Sequence, residues 1–205
     1  MAKIVVEPFE NVNIDQAAAF IVEGMHIDRY IKHEKFQHMY SKLMFRRELS
    51  EATTALEISV DGKFEGFLLA KFNDEEKVTG ESRTTLYQRF MHLIQKIVGS
   101  DKMMGPYGHA NMAMLQELSL KESLDGEINL FAVDSQLKKQ GLGTKLLDHL
   151  AAAHSGDHVF VYSDSDCNYQ FYLHRGFQQA GSRQIMMSAK KSKLPLTCYL
   201  FDRIL

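Results

Sequence analysis

"GEINLFAVDSQLKKQGLGTKLLDHL", residues 126–150, passes from a nearly continuous apolar run into a loop holding two glycines and several basic residues, then into leucines at helical spacing. The run 126–133 has the length and composition of a central strand, expected to be buried on both faces. The segment from about 136 to 154 reads as a helix, with Gly156 beyond it as a left-handed cap. Another strand follows at "HVFVYSD" (158–164), so the two strands and the helix between them form a parallel crossover.

The start of that helix has anion-binding chemistry. Backbone N–H groups in a first turn have no partner within the helix and stand at the positive end of its dipole. Gly141 and Gly143 let a diphosphate approach the backbone, Lys138, Lys139 and Lys145 add positive charge, and Thr144 offers a hydroxyl. The alternative is a helix start with glycines for tight packing and lysines that are merely solvated. Two other phosphate motifs are excluded. No Gly-Lys-Ser/Thr triplet occurs, and the third glycine of a dinucleotide fingerprint is replaced by Leu146.

Working outward, "KIVVEPF" (3–9) reads as a first strand and "NIDQAAAFIVEGM" (13–25) as a helix capped by Asn13 or Asp15. Residues 28–48 suggest one or two surface helices. "TALEISVDGKFEGFLLAKF" (54–72) is a hairpin signal, with Asp61-Gly62 suited to the positive φ of a tight turn. A long connection at 73–125 includes "RTTLYQRFMHLIQKIVGS" and "HANMAMLQELSL", both with helical spacing; the stretch 87–98 is a candidate roof for the site or a homodimer contact. "CNYQFYLHRGF" (167–177) reads as a short helix, and strands follow around 183–189 and 196–204.

Composition narrows the partners. The 205 residues carry 24 Lys+Arg against 26 Asp+Glu, a net charge of -2, with no dense basic run, so neither nucleic acid nor a membrane surface is an expected ligand. No stretch approaches the ~20 apolar residues of a membrane span, and the N-terminal apolar run is too short for a signal peptide. The two cysteines, Cys167 and Cys198, form no disulfide framework or metal spacing, which fits a cytoplasmic protein. "HEKFQH" (33–38) is one residue too long to place both imidazoles on one helical face, so no metal is expected.

Two blocks together resemble the GNAT acetyltransferase superfamily. Its coenzyme motif, Arg/Gln-x-x-Gly-x-Gly/Ala, is met by Lys138-Lys139-Gln140-Gly141-Leu142-Gly143, with Lys138 departing from the usual arginine or glutamine. A Tyr-x-x-x-Gly-Phe block is met by Tyr172, Gly176 and Phe177. The resemblance implies one α/β domain over 1–205 with a helical insertion at about 73–125. Its sheet is mixed and mostly antiparallel, with a splayed parallel strand pair and flanking helices. It implies acetyl-CoA as cosubstrate, held by Val133, Asp134, Ser135, Lys138, Lys139, Gln140, Gly141, Leu142, Gly143, Thr144, Asn168 and Tyr172, with the backbone N–H at 133 as donor to the thioester oxygen.

The reaction implied is direct acetyl transfer to a primary amine. Tyr172 corresponds to the general acid and Glu127 to a general base; the alternatives are a core aromatic beside Phe171 and a solvated strand-entrance carboxylate. His109, His174, Asp164 and Asp166 are candidates for the acceptor pocket or ordinary surface residues, and Cys167 for either a low-pKa thiol or an inert buried one. The competing functional class is a non-catalytic acyl-CoA-binding or regulatory module on the same fold.

Overall fold

The structure, a computed structural model, describes residues 2–9, 13–78, 100–137, 140–188 and 193–205. Its elements run β1 (Ile4–Pro8), α1 (Ile14–Gly24), α2 (Ile27–Tyr30), α3 (Glu34–Glu51), β2 (Thr54–Val60), β3 (Lys63–Phe72), α4 (Ser100–Ser119), β4 (Gly126–Val133), α5 (Leu142–Ala153), β5 (His158–Asp164), α6 (Gln170–His174), β6 (Gln178–Ser188) and β7 (Lys193–Ile204). The strands form one seven-stranded sheet in the order β1-β2-β3-β4-β5-β7-β6. Every pairing is antiparallel except β4 with β5. The expected mixed, mostly antiparallel sheet with one parallel pair is therefore present.

Local chemistry explains the elements that matter for the site. Asn13 caps α1 by accepting from the Gln16 N–H at 3.1 Å. Asp61 and Gly62 take φ of 51° and 79°, the two positive values of a tight hairpin turn, between β2 and β3. Gly105 (φ 58°, ψ -176°) interrupts α4, and Pro106 starts the regular helix after it, a position where its missing N–H costs no hydrogen bond.

Several boundaries differ from the sequence reading. Helix α5 starts at Leu142 instead of about 136, because Gly141 takes φ 72° and a left-handed residue cannot continue a right-handed helix; Ser135–Leu137 forms only a 3-10 turn. At its other end the helix is capped by His154, and Gly156 (φ 96°) lies two residues beyond the cap. Helix α6 spans only Gln170–His174, because residues 165–169 turn around the Asp164 carboxylate, which accepts from the N–H groups of Asp166 (2.9 Å) and Cys167 (3.1 Å). Strands β6 and β7 are longer than expected. Strand β4 is covered on both faces as expected, with Ile128 buried on the α5 side and Leu130 and Ala132 buried under α1 and α3, the residues between them being half-buried. The pattern at 87–98, with its dimer expectation, lies outside the described residues.

Each face of the sheet carries its own helices. On one, Leu142, Leu146, Leu147 and Leu150 of α5 pack on Leu68, Ile128, Val159 and Phe201. On the other, α1 and α3 cover Phe67, Leu69, Leu130 and Ala132, while Ala110, Met114 and Leu118 of α4 cover Phe160, Cys198 and Leu200. Among the described residues no helix is long and apolar enough to cross a membrane.

Candidate active site

The site begins where β4 and β5 part. They pair only at Gly126↔Val159 and Glu127↔Phe160, and the parallel ladder then stops. On its other edge β4 stays paired with β3 as far as Val133↔Gly66. The Asp134 N–H donates to the Glu65 carbonyl at 2.8 Å, which makes 134/65 a hydrogen-bonded pair. Antiparallel pairs alternate, so Val133/Gly66 and Phe131/Leu68 are the non-hydrogen-bonded ones. The N–H and C=O groups of Phe131 and Val133 consequently point away from β3, toward β5, into the opening. The close approach at Val133 needs Gly66: a Cβ there would lie 2.7 Å from Val133 Cγ1 and 2.9 Å from the Ala132 carbonyl oxygen.

Where the opening begins, β4 carries a bulge. Its register with β3 passes from Leu69↔Leu130 to Ala70↔Ile128, leaving Asn129 unpaired as an extra residue. The extra residue reverses the parity of the strand. Ile128, Phe131 and Val133 belong with the α5 side, while Leu130 and Ala132 pack under α1 and α3.

At the far end of the opening stands the N-terminus of α5. The first intrahelical bond runs from the Lys145 N–H to the Gly141 carbonyl (3.0 Å), no side chain caps the turn, and among the described residues the N–H groups of Leu142, Gly143 and Thr144 have no acceptor, which leaves them available to an anion. The two glycines do different work. Gly141 supplies the left-handed turn, with open space where a Cβ would be. Gly143 supplies close packing: a Cβ there would lie 3.3 Å from Phe131 Cζ and 3.4 Å from the Phe171 ring. The packing explanation of the motif and the anion explanation thus both hold, for different residues.

The other predicted coenzyme contacts vary. Asp134 Oδ1 accepts from the Gln136 N–H at 2.7 Å, and the Ser135 hydroxyl donates to Glu23, so both side chains are used to build the loop. Gln140 is exposed beside Gly141, and Asn168 is exposed in the turn before α6. Lys138 and Lys139 lie outside the described residues. Tyr172, on α6, sits edge-on to Phe171 and Phe177 (both 5.5 Å) and stacks on Phe201 at 5.9 Å. Burial, with the nearby Cys167 adding to it, pushes its phenol well above the ordinary range, so it stays protonated and able to donate.

Glu127 lies at the last paired position before the opening, with Lys71 opposite it on β3. Burial, then the negative charge of Glu48, raises its carboxyl from 4.5 to about 7, against the smaller opposing effects of Lys71 and Arg47. Tyr162, two residues beyond Phe160 on β5, has its phenol raised by burial and by Glu127. Asn129 donates through Nδ2 to both the backbone oxygen and Oε2 of Glu48, each at 3.1 Å. Tyr162, Glu48 and Asn129 were not singled out from sequence. A lone asparagine inside "GEINLFAV" was the available signal for a bulge, and strand parity with Phe160 the signal for Tyr162; nothing marked Glu48.

The remaining candidates separate. His109 and His174 are exposed. Asp164 is buried and also accepts from the Tyr107 hydroxyl at 3.2 Å; Asp166 accepts from the Tyr30 hydroxyl at 2.7 Å and pairs with Arg29 at 2.8 Å. Both are occupied in holding the β5–α6 turn. Cys167 is not a low-pKa thiol: burial and then the Asp164 carboxylate push it upward.

Comparison with known proteins agrees with this geometry. Residues 82–189, just over half of the chain, match the acetyltransferase (GNAT) domain family. No curated protein sequence matches the chain. Among solved structures it is similar to the histone acetyltransferase HPA2 and related acetyltransferase of Corynebacterium glutamicum (15% identity, 98% of this chain and 96% of that one, TM-score 0.56). It is also similar to the Drosophila melanogaster polyamine N acetyltransferase (15%, 99% and 100%, 0.53). A third is the ribosomal-protein-S18-alanine N-acetyltransferase of Escherichia coli (13%, 98% and 92%, 0.53). At these identities the likeness is one of fold. With its family match, its mixed sheet and its parted parallel strands, the chain belongs to the GNAT acetyltransferase family.

Proposed function

We propose that the protein transfers the acetyl group of acetyl-CoA directly to a primary amine. The observation that carries this reading is the parting of β4 from β5 after Glu127, with the polar backbone of Phe131 and Val133 turned into the gap and an uncapped helix N-terminus at its end. An extended amide chain such as pantetheine pairs with an unused strand edge, and a diphosphate suits free N–H groups backed by a helix dipole. The Val133 N–H is then the donor to the thioester oxygen.

The proton balance assigns the two side chains. Glu127 takes one proton from the acceptor's ammonium group, and the freed nitrogen attacks the acetyl carbon. The C–N bond forms and the C–S bond breaks as the departing thiolate takes the Tyr172 proton. The second proton of the nitrogen returns to the Tyr172 phenolate, leaving an amide, coenzyme A thiol and one proton released through Glu127. A carboxyl near 7 suits this task, since a base works best with a pKa close to the working pH. The similar structures include acetyltransferases named for a polyamine and for a ribosomal-protein alanine, which supports a primary amine as the acceptor class.

The test is calorimetric titration with acetyl-CoA, followed by release of free thiol across a panel of diamines, amino acids and peptide N-termini. Saturable binding with amine-dependent thiol release is expected. Binding without turnover on any amine would favour the regulatory-module reading, and absence of binding would remove both.

A further inference from the structure

We propose that Glu48 is a positioning residue for this reaction: fastened over the β4 bulge by Asn129, it holds a second carboxylate beside Glu127 and keeps that base able to accept a proton at neutral pH. The inference rests on the reading of Glu127 as the base, and it concerns a residue on a different element. Three observations carry it.

The bulge frees Asn129 from the β3 ladder, and the freed amide donates twice to Glu48, once to its backbone oxygen and once to its carboxylate. Both partners are acceptors, which fixes Nδ2 on that side. The Asn129 Oδ1 is buried with no hydrogen-bond partner among the described residues, so Glu48 alone sets the amide's orientation. Glu48, half-buried on α3, is thus tied at both its backbone and its carboxylate to a residue two positions from Glu127.

Cations that could neutralise the pair are partly engaged elsewhere. Lys71 faces Glu127 across the ladder, yet its Nζ lies 3.7 Å from Glu51 Oε2, an oxygen that Lys77 also contacts at 2.8 Å. Arg47 lies 3.6 Å from Glu48 and is 62% exposed, where water weakens its charge. From β5, Tyr162 presents a neutral phenol. Among the described residues the charged groups acting on Glu127 are therefore Glu48, Lys71 and Arg47. The nearby negative charge raises the cost of ionising Glu127, and the same charge helps the site hold the conjugate acid once a proton has moved.

The experiment is a carbon-13 NMR titration of the full chain labelled at glutamate carboxyl carbons, with Glu127→Gln used to assign the resonance. In Glu48→Gln the Glu127 midpoint should fall by about one pH unit, the scale expected of one charge at short range in a partly buried site. Arg47→Gln should move it the other way by less, and Glu48→Asp should restore most of the wild-type value. A midpoint unmoved in a folded Glu48→Gln protein overturns the proposal, as does an Arg47→Gln shift in the same direction as Glu48→Gln. The base reading fails separately: undiminished thiol release by Glu127→Gln would remove Glu127 from the reaction, and the role of Glu48 with it, even if the two carboxyls titrate together.

Discussion

Replacing Glu127 with glutamine should change the stability of the protein by an amount that depends on pH, and the structure gives the sign and the scale. Burial and the charge of Glu48 raise the folded-state carboxyl from 4.5 to about 7. A group whose folded pKa lies above its unfolded value contributes stability that is complete below the unfolded pKa and is lost as pH rises through the folded one. The wild-type protein therefore loses stability between about pH 4.5 and 7, and Glu127→Gln, which cannot ionise, does not. Each pKa unit corresponds to 1.36 kcal/mol, so the variant should gain about 3 kcal/mol over wild type at pH 8 relative to pH 4. Any fixed cost of fitting the amide into the site cancels in that difference. Urea unfolding of both proteins at the two pH values measures it, with linear extrapolation to water. A stability difference that is the same at pH 4 and pH 8 would show that the Glu127 carboxyl titrates normally, and the argument for a neutral-pH base would go with it.

Three other substitutions test separate parts of the site. Gly143→Val adds a branched side chain where a Cβ alone would already meet Phe131 Cζ at 3.3 Å; it should tilt the start of α5 and weaken acetyl-CoA binding by about tenfold or more in calorimetry, and unchanged affinity would contradict the packing role. Tyr172→Phe keeps every ring contact and removes a hydroxyl that has no partner among the described residues. Thiol release should fall by about 10²-fold, with melting temperature and coenzyme affinity nearly unchanged; a full-rate variant would eliminate Tyr172 as the acid. Gly66→Ala places a Cβ 2.7 Å from Val133 Cγ1 and 2.9 Å from backbone atoms of 132 and 133. It should destabilise the fold by about 1–3 kcal/mol in urea unfolding and weaken acetyl-CoA binding, since it displaces the strand that presents the Val133 N–H.

What the sequence shows and what it hides differ for a physical reason. The hairpin at Asp61-Gly62, the Asn13 cap and the crossover through residues 126–164 are set by interactions among near neighbours, and each is found where its turn or cap chemistry puts it. The same holds for the glycine loop, although the helix begins six residues later than leucine spacing suggests, because periodicity does not report the left-handed φ of Gly141. The side of the site around Glu127 is different. Glu127 acquires its character from burial and then from the charge of Glu48, whose side chain is held by a residue 81 positions away that is the unpaired extra residue in the ladder with β3.

Strand parity shows how much depends on that residue. Without the bulge, Asn129, Phe131 and Val133 would share the face of Glu127, and Leu130 would fall on the other. With it, Leu130 and Ala132 join the core under α1 and α3, while Phe131 and Val133 turn to the α5 side, where Phe131 meets Phe171 at 5.6 Å. Asn129 faces α3 either way, so what the insertion changes is the residues after it: it brings Phe131, the aromatic ring that closes against Gly143, to the side of the anion-binding helix and frees Asn129 from the ladder with β3. Deleting Asn129 joins Ile128 to Leu130 and keeps every later side chain on its present face, so the deletion and Asn129→Ala should both lower the Glu127 titration midpoint while acetyl-CoA binding is retained in the folded proteins. Loss of coenzyme binding in the alanine variant would mean that the Asn129 side chain also shapes the coenzyme side, and an unmoved midpoint in both variants would contradict its hold on Glu48.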